Sequence, residues 1–181
     1  MSMDYAQIVE GCRRHDAKAQ RVLYDVMAPM VGGVCARYAA NHAEMQDLVQ
    51  DVFIKVFERI GSLADSERLG GWIYSMAVNT CIDNLRRRQR RVSLEDIEVD
   101  VPVVDTDPFA MEEILSAMQW LTPMLRAVFN LCDVEGYTLD EAAARLGSNN
   151  QAVRVALCRA RRLLREKLEA SGREGVKESR S

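Results

Sequence analysis

Two clusters of arginine are the residues of this chain best suited to a chemical task, and that task is binding phosphate. The first cluster is Arg-Arg-Arg-Gln-Arg-Arg at 86–91, and the second comprises the basic residues of 154–167. Guanidinium groups match phosphate geometry, so dense arginine on one helix is typical of proteins that bind nucleic acid. The net charge of −3 hides this pattern, because 92–121 contains eight Asp or Glu and no Lys or Arg. The sequence therefore indicates nucleic-acid contacts in both basic parts of the chain, one before and one after the acidic stretch 92–121.

Candidate groups for catalysis or metal binding are scarce. The five cysteines are scattered without a Cys-x-x-Cys pair, and the histidines are only His15 and His42. We recognise no nucleophile–base pair and no glycine-rich phosphate loop. We therefore expect no enzyme activity, no cofactor and no metal, and we interpret the cysteines as ordinary core or surface thiols.

The cellular location is predicted from apolar content. No stretch approaches the roughly 20 apolar residues that cross a bilayer, and the N-terminus is charged throughout without an apolar signal core. We expect a soluble cytoplasmic protein.

The last third of the chain has the pattern of a helix-turn-helix. Thr138-Leu-Asp-Glu141 is a capping box that opens a short helix, Gly147 is a C-terminal cap, and a long basic helix follows. The start of such a helix enters the major groove, whereas arginines further along meet phosphates. A helical hairpin with a solvated basic face is the alternative. The residues expected to face bases are Gln151, Arg154 and Val155, and those expected to hold phosphates are Arg159 and Arg162.

A second motif lies on a predicted helix at 41–60. Asp47, Gln50 and Asp51 fall on one face, at spacings i, i+3 and i+4, while Leu48 and Val52 point to the core. Two carboxylates beside an amide suit a basic partner surface. Taken alone, however, an ordinary solvated acidic face explains this pattern more simply.

The third motif spans Gly71–Arg91, where aromatic residues lead and five arginines close the segment. Aromatic rings can stack on unpaired bases, and arginines neutralise phosphates. The alternative is that Trp72 and Ile73 are anchored in the core and that the arginines are merely solvated.

Residues typical of helix ends, together with apolar residues that recur every three to four positions, predict an all-α protein. We predict two helical domains, 1–91 and 108–170, joined by an acidic linker at 92–107 and followed by a disordered tail at 171–181. Pro29 and Gly32-Gly33 are expected to kink or loosen the second helix. The predicted helices cover about 4–14, 16–38, 41–60, 71–90, 108–120, 123–134, 139–146 and 149–170.

Together these three motifs, in this order and spacing, resemble the sigma-70 family of bacterial transcription initiation factors, in particular its extracytoplasmic-function group. The matching strings are Asp47–Phe57, Gly71–Arg91 and the run from Gly136 to Leu168. The resemblance implies a factor that brings RNA polymerase to promoters and helps to melt DNA. The first string would dock on the clamp helices of polymerase, the second would open and read the −10 element, and the third would read the −35 element.

The site residues that the resemblance implies fall into three sets. The polymerase-binding set is Asp47, Gln50, Asp51, Phe53 and Lys55. The −10 set is Trp72, Tyr74, Asn79, Asn84, Arg86, Arg87, Arg88, Arg90 and Arg91, with Asn79 at a position that lines a pocket for one flipped base. The −35 set is Asn149, Asn150, Gln151, Arg154, Val155, Arg159 and Arg162.

The implied partners are core RNA polymerase, promoter DNA and an anti-sigma factor that could hold the chain at the inner membrane. The sequence departs from the family pattern at Ser148, Ala152 and Ala156, so the −35 sequence preference is left open. A stand-alone helix-turn-helix regulator, which binds duplex operators and uses the N-terminal half for sensing or dimerisation, is the rival hypothesis.

Overall fold

The computed structural model describes residues 5–92 and 116–178, and within these ranges all regular structure is helical. This confirms the all-α prediction. The chain divides into two compact units, Met1–Asn84 and Leu85–Ser181. Apart from Val92, the predicted acidic linker lies outside the described residues, as does most of the predicted helix 108–120. The domain limits at 91 and 108 therefore stay predictions.

Four helices begin within the first unit, and side-chain caps mark the starts of the second and the third. They are α1 (Tyr5–Arg13), α2 (Ala17–Tyr38), α3 (His42–Arg59) and α4 (Leu69–Val92), with 3-10 turns at Ile60–Ser62 and Ser66–Arg68. The Asp16 carboxylate accepts a hydrogen bond from Lys18 N at 2.9 Å, and the Asn41 side chain accepts one from Glu44 N at 2.9 Å. Short polar side chains at these N-caps satisfy backbone N–H groups that the helix leaves open.

Helix α2 differs from the sequence prediction because it runs unbroken past Pro29 and both glycines. A Cβ added at Gly32 or Gly33 would meet no atom within 4 Å, so close helix packing does not account for these glycines. Packing of the helix as a whole can outweigh a local cost of roughly 1 kcal/mol for each glycine. The helix is therefore not broken at these residues, and a kink there stays a prediction.

The core of the first unit is built from inward stripes at helical spacing. On α4 the buried residues Ile73, Ala77 and Cys81 recur at steps of four. On α3 the buried stripe includes Leu48, Val52 and Val56. Each buried aliphatic side chain contributes about 1.5–3 kcal/mol relative to exposure. This core holds α3 and α4 in place, so each helix presents a fixed face to solvent.

The second unit contains a helical segment at 116–119, helix α5 (Pro123–Phe129), helix α6 (Leu139–Leu146) and helix α7 (Asn150–Glu178). A π-helical turn, Asn130–Val134, continues α5. In the core cluster of this unit, residues just before α5 and within it pack against α7. Its buried members are Ala117, Met118, Leu121, Leu125, Ala160 and Leu164.

Arg126 is a buried cation that sequence reasoning did not single out. It is 3% exposed, and its guanidinium donates to the carbonyl oxygens of Met118 at 3.0 Å, Gln119 at 3.1 Å and Leu121 at 3.2 Å. These carbonyls end the segment 116–119, where a helix leaves acceptors unsatisfied and favours positive charge. Arg126 therefore fixes the chain reversal before α5.

The ends of α6 agree with the sequence, whereas the end of α7 does not. Thr138 and Glu141 form the predicted reciprocal capping box, and Gly147 takes a left-handed conformation with φ 65°. Helix α7 continues to Glu178, about two turns beyond the predicted end at Ala170. The helix thus extends into the predicted tail 171–181, and the disorder of that tail stays a prediction.

Candidate nucleic-acid interface

The acidic face of α3 is presented to solvent. Asp47 and Gln50 are exposed and Asp51 is half-buried. One turn further, Ile54 is 55% exposed on the same side of the helix. The face is therefore a row of acid, amide and apolar groups. Sequence reasoning missed Ile54 because an isolated isoleucine in an apolar-rich helix resembles a core residue.

Of two further residues predicted for this face, Phe53 is buried, which corrects that prediction, and Lys55 is half-buried with partners on α4. Phe53 is 4% exposed, and its ring centroid lies 4.5 Å from that of Tyr24 and 6.0 Å from that of Phe57. Lys55 reaches from α3 to α4, where its Nζ donates to Thr80 Oγ1 at 3.1 Å and lies 4.0 Å from the Asp83 carboxylate. Phe53 supports the face from inside the core, and Lys55 ties α3 to α4.

Helix α4 places its predicted contact residues in different environments. Asn79 is exposed, and Trp72 and Tyr74 are half-buried. The Tyr74 hydroxyl accepts a hydrogen bond from Arg37 at 3.3 Å. Ile73 is fully buried, so the core alternative is correct for that residue.

Asn84 of α4 has a partner on α3. Its side-chain amide donates to the Glu44 carboxylate at 3.2 Å, and the other oxygen of Glu44 accepts from Ala40 N at 2.7 Å. Asn84 thus joins α4 to the start of α3, and its contact with DNA stays a prediction.

The arginine cluster at the end of α4 is described in part. Arg86 is half-buried, and Arg87 and Arg88 are exposed. The side chains of Arg90 and Arg91 lie outside the part of the chain whose side chains the structure describes.

The start of α7 presents the predicted reading residues outward. Gln151 and Arg154 are exposed and Val155 is 59% exposed, whereas Val153 and Leu157 are buried. The exposed side chain of Val155 can contact the methyl group of thymine.

Asn149 and Asn150 have structural partners at this helix start. The Asn149 side chain accepts from Ala152 N at 2.8 Å and caps the helix, and the Asn150 amide donates to Asp140 at 2.7 Å. Asn149 therefore caps α7, and Asn150 joins α7 to α6. Contact of either residue with bases stays a prediction.

The basic residues of α7 are not equivalent. Arg159 is exposed, and the exposed Arg162 lies 3.9 Å from Glu166. In contrast, Arg161 makes a two-point contact with Asp133, and Lys167 lies 3.9 Å from the ring centroid of Trp120. The hydrogen bond from Arg161 to Asp133 raises the pKa of the guanidinium.

Two further observations concern membranes and metals. No helix among the described residues is both long enough and apolar enough to span a membrane. Within 5–92 and 116–178, no three or more His, Cys, Asp or Glu side chains come together in a way that could hold a metal ion.

Comparison with known proteins places both motif-bearing parts of the chain in one family. The model of sigma-70 region 2 matches residues 23–91, and the model of sigma-70 region 4 matches residues 111–164. The RNA polymerase sigma factor CarQ of Myxococcus xanthus is 34% identical over 78% of this chain and 84% of its own length. The chain belongs to the extracytoplasmic-function group of the sigma-70 family. That family comprises the promoter-specific initiation factors of bacterial RNA polymerase.

Other similarities of this sigma factor agree. The ECF RNA polymerase sigma factor SigE of Mycolicibacterium smegmatis is 30% identical over 88% of this chain, which spans 60% of that relative's length. The fold of the present chain is similar to that of the sigma factor RpoE of Bartonella quintana, which was solved in complex with the anti-sigma factor NepR. The TM-score is 0.54 at 22% identity, with 82% of this chain and 96% of the other covered.

The family match explains how the motifs are distributed along this sigma factor. The region 2 match contains the acidic face of α3 and the aromatic and arginine residues of α4, and the region 4 match contains α5, α6 and the first half of α7. Matches to both regions support initiation of transcription, and they give no support to the stand-alone regulator.

Proposed function

We propose that this sigma factor directs core RNA polymerase to promoters through three surfaces: the α3 face, the outer side of α4 and the start of α7. The observation that carries the proposal is the outward row Gln151, Arg154 and Val155, which lies on a helix whose opposite side is buried. The chemistry required is recognition rather than bond making, so we infer that the chain itself is not an enzyme.

The α3 face suits polymerase docking. Asp47 and Asp51 offer negative charge to a basic helix pair, Gln50 offers hydrogen bonds, and Ile54 offers an apolar contact at the end of the row. Charge complementarity would steer the encounter, and the apolar contact would slow dissociation. Phe53 is left out of this docking surface because it is buried in the core, and the part that Lys55 plays in docking stays a prediction.

The outer side of α4 suits a melted strand. Asn79 is exposed and can offer both a donor and an acceptor to the edge of a flipped base, while Arg87 and Arg88 lie further along for phosphates. Melting then needs no chemical step. It requires only that this surface binds the open strand more tightly than duplex DNA, which shifts the equilibrium toward the open form.

The start of α7 suits duplex reading, and we expect its two kinds of contact to respond differently to mutation. Arg154→Ala should cost about 1–3 kcal/mol at one base pair of the −35 element if it makes a bidentate contact. Arg162→Ala should instead weaken binding to all sequences alike and lower the salt dependence. Holoenzyme affinity for a set of −35 duplexes with single base changes measures both effects. A uniform loss from both variants would reassign Arg154 to phosphate.

Reconstitution tests the function as a whole. The chain made in a heterologous host should bind core polymerase and support run-off transcription from promoters found by sequencing transcripts after overexpression. A stand-alone regulator should instead bind duplex operators tightly by itself, and neither bind polymerase nor permit transcription. This second outcome would overturn the proposal.

We also propose that the chain works in the cytoplasm, where polymerase and the chromosome lie, and that an anti-sigma protein controls it. The support is the family, together with the similar fold of a sigma factor solved with its anti-sigma factor. Such a protein would cover the docking and DNA surfaces, and it could hold the chain at the inner membrane. Full activity of the chain purified from uninduced cells, with no inhibitor attached, would contradict this.

A further inference from the structure

Asp133 and Arg161 form a two-point contact between the π-helical turn and α7. Arg161 Nε lies 2.8 Å from one carboxylate oxygen of Asp133, and a terminal nitrogen lies 2.5 Å from the other. The Asp133 side chain is 23% exposed and the Arg161 side chain is 53% exposed. A bidentate guanidinium–carboxylate pair fixes orientation as well as distance, because both groups are planar.

The turn that carries Asp133 is itself unusual. Glu135 N donates to Asn130 O at 2.8 Å, five residues back, so the α-helical spacing is widened by one residue here. Such π turns are rare, and they change the direction of the side chains that follow. In this protein the widened turn brings an acid against a helix that otherwise gathers arginines.

The position of Arg161 on α7 relates this contact to the residues expected to face bases. Arg161 is seven residues after Arg154, so it lies about two turns along and near the same side of the helix. At the start of α7, Asn150 donates to Asp140 at 2.7 Å. The helix is therefore held by polar contacts at its start and in its middle, and the exposed reading residues lie between these two points.

We propose that Asp133 and Arg161 are positioning residues that set the orientation of α7 for −35 recognition, and that Arg161 is not a phosphate contact. This rests on the proposed function, in which the start of α7 reads duplex DNA. Arg161 already directs two of its donors at Asp133. Asp133 also places a negative charge beside the position where a phosphate would have to lie, which disfavours binding there.

Two other roles for this pair make different predictions. If Asp133 only masked a phosphate-binding Arg161, removing the acid would free the arginine and tighten DNA binding. If the pair were an idle surface ion pair, removing either partner would change little, since exposed pairs are usually worth about 0–1 kcal/mol.

The test uses holoenzyme reconstituted with Asp133→Asn, Arg161→Gln or the double variant. The matched control is Arg162→Gln, which removes the neighbouring exposed arginine of the same helix. Affinity for a −35 duplex and for a scrambled duplex is measured over a range of salt concentrations. Each positioning variant should weaken specific binding by about threefold to tenfold, with the double variant no worse than either single one. The salt slope should be unchanged, whereas Arg162→Gln should lower it by about one unit.

A charge swap separates positioning from simple loss of stability. Asp133→Arg combined with Arg161→Asp keeps the net charge and can restore the pair, so specific binding should recover at least in part, and all variants are measured below their melting temperatures. Tighter binding by Asp133→Asn, a lower salt slope for Arg161→Gln or unchanged binding by both would each overturn the proposal. If instead the wild-type holoenzyme shows no −35 preference, the proposed function has failed, and the positioning role of Asp133 and Arg161 has not.

Discussion

Reversing two charges on α3, with Asp47→Arg and Asp51→Arg together, should lower the affinity for core polymerase by at least about a hundredfold. Loss of one partner of an interfacial charge pair typically costs about 2–5 kcal/mol, and reversal adds repulsion to that loss. Asp47 is exposed and Asp51 half-buried on a helix whose opposite side forms the core. The fold should therefore survive both changes, which circular dichroism will verify.

The measurement is binding of labelled core polymerase at two or more salt concentrations. The control is Glu67→Arg, which changes an exposed acid in the 3-10 turn Ser66–Arg68 and alters the net charge as much as Asp47→Arg does. It should bind almost normally. Ile54→Ala should weaken binding chiefly through faster dissociation and with little dependence on salt, since the contact is apolar. Normal binding by the double reversal would remove α3 from the docking surface.

Local chemistry explains why the helices could be predicted well. Asp16, Asn41 and Thr138 each accept a hydrogen bond from an N–H group of the following turn, so the residue type alone indicates where a helix begins. Gly147 marks an end in the same way, because it takes a left-handed conformation that other residues avoid. These signals lie within a few residues of the boundary that they define.

Site residues are harder to predict because their roles depend on partners far along the chain. Lys55 was expected on the docking face, yet it contacts Thr80 of α4. Asn84 was expected to meet DNA, yet it donates to Glu44. Periodicity shows which side of a helix faces the core, but it does not show which neighbouring helix lies within reach of a long side chain.

Buried and paired arginines show the same limit. The sequence does not distinguish Arg126 and Arg161 from the other arginines of the chain. One is enclosed by backbone carbonyls and the other is held by a carboxylate. Counting basic residues therefore overestimates the positive charge that this domain can offer to DNA.

Replacing one amide, with Asn79→Ala, should impair promoter opening far more than it impairs polymerase recruitment. Asn79 is exposed between the buried residues Val78 and Thr80, so its side chain can be shortened without disturbing the core. Alanine is also the better helix former, so loss of folding is not expected. If the amide pairs with a base that has left the stack, its removal should cost about 1–3 kcal/mol in the open complex alone. Permanganate reactivity at the start site should fall roughly tenfold to a hundredfold, with the initial closed complex almost unchanged.

Promoters with one abasic site in the non-template strand give the decisive comparison. If Asn79 binds one flipped base, removing that base should weaken the wild-type factor as much as Asn79→Ala does, and the two changes together should do no further harm. At every other position the two losses should add, because independent contacts are additive. Asn79→Ala should still bind a template melted in advance more weakly than the wild-type factor does, since the base contact is still missing. A variant defective only in strand separation would instead bind that template normally. Equal losses in recruitment and opening, or additive losses at every abasic position, would mean that Asn79 acts on duplex DNA and not on an extruded base.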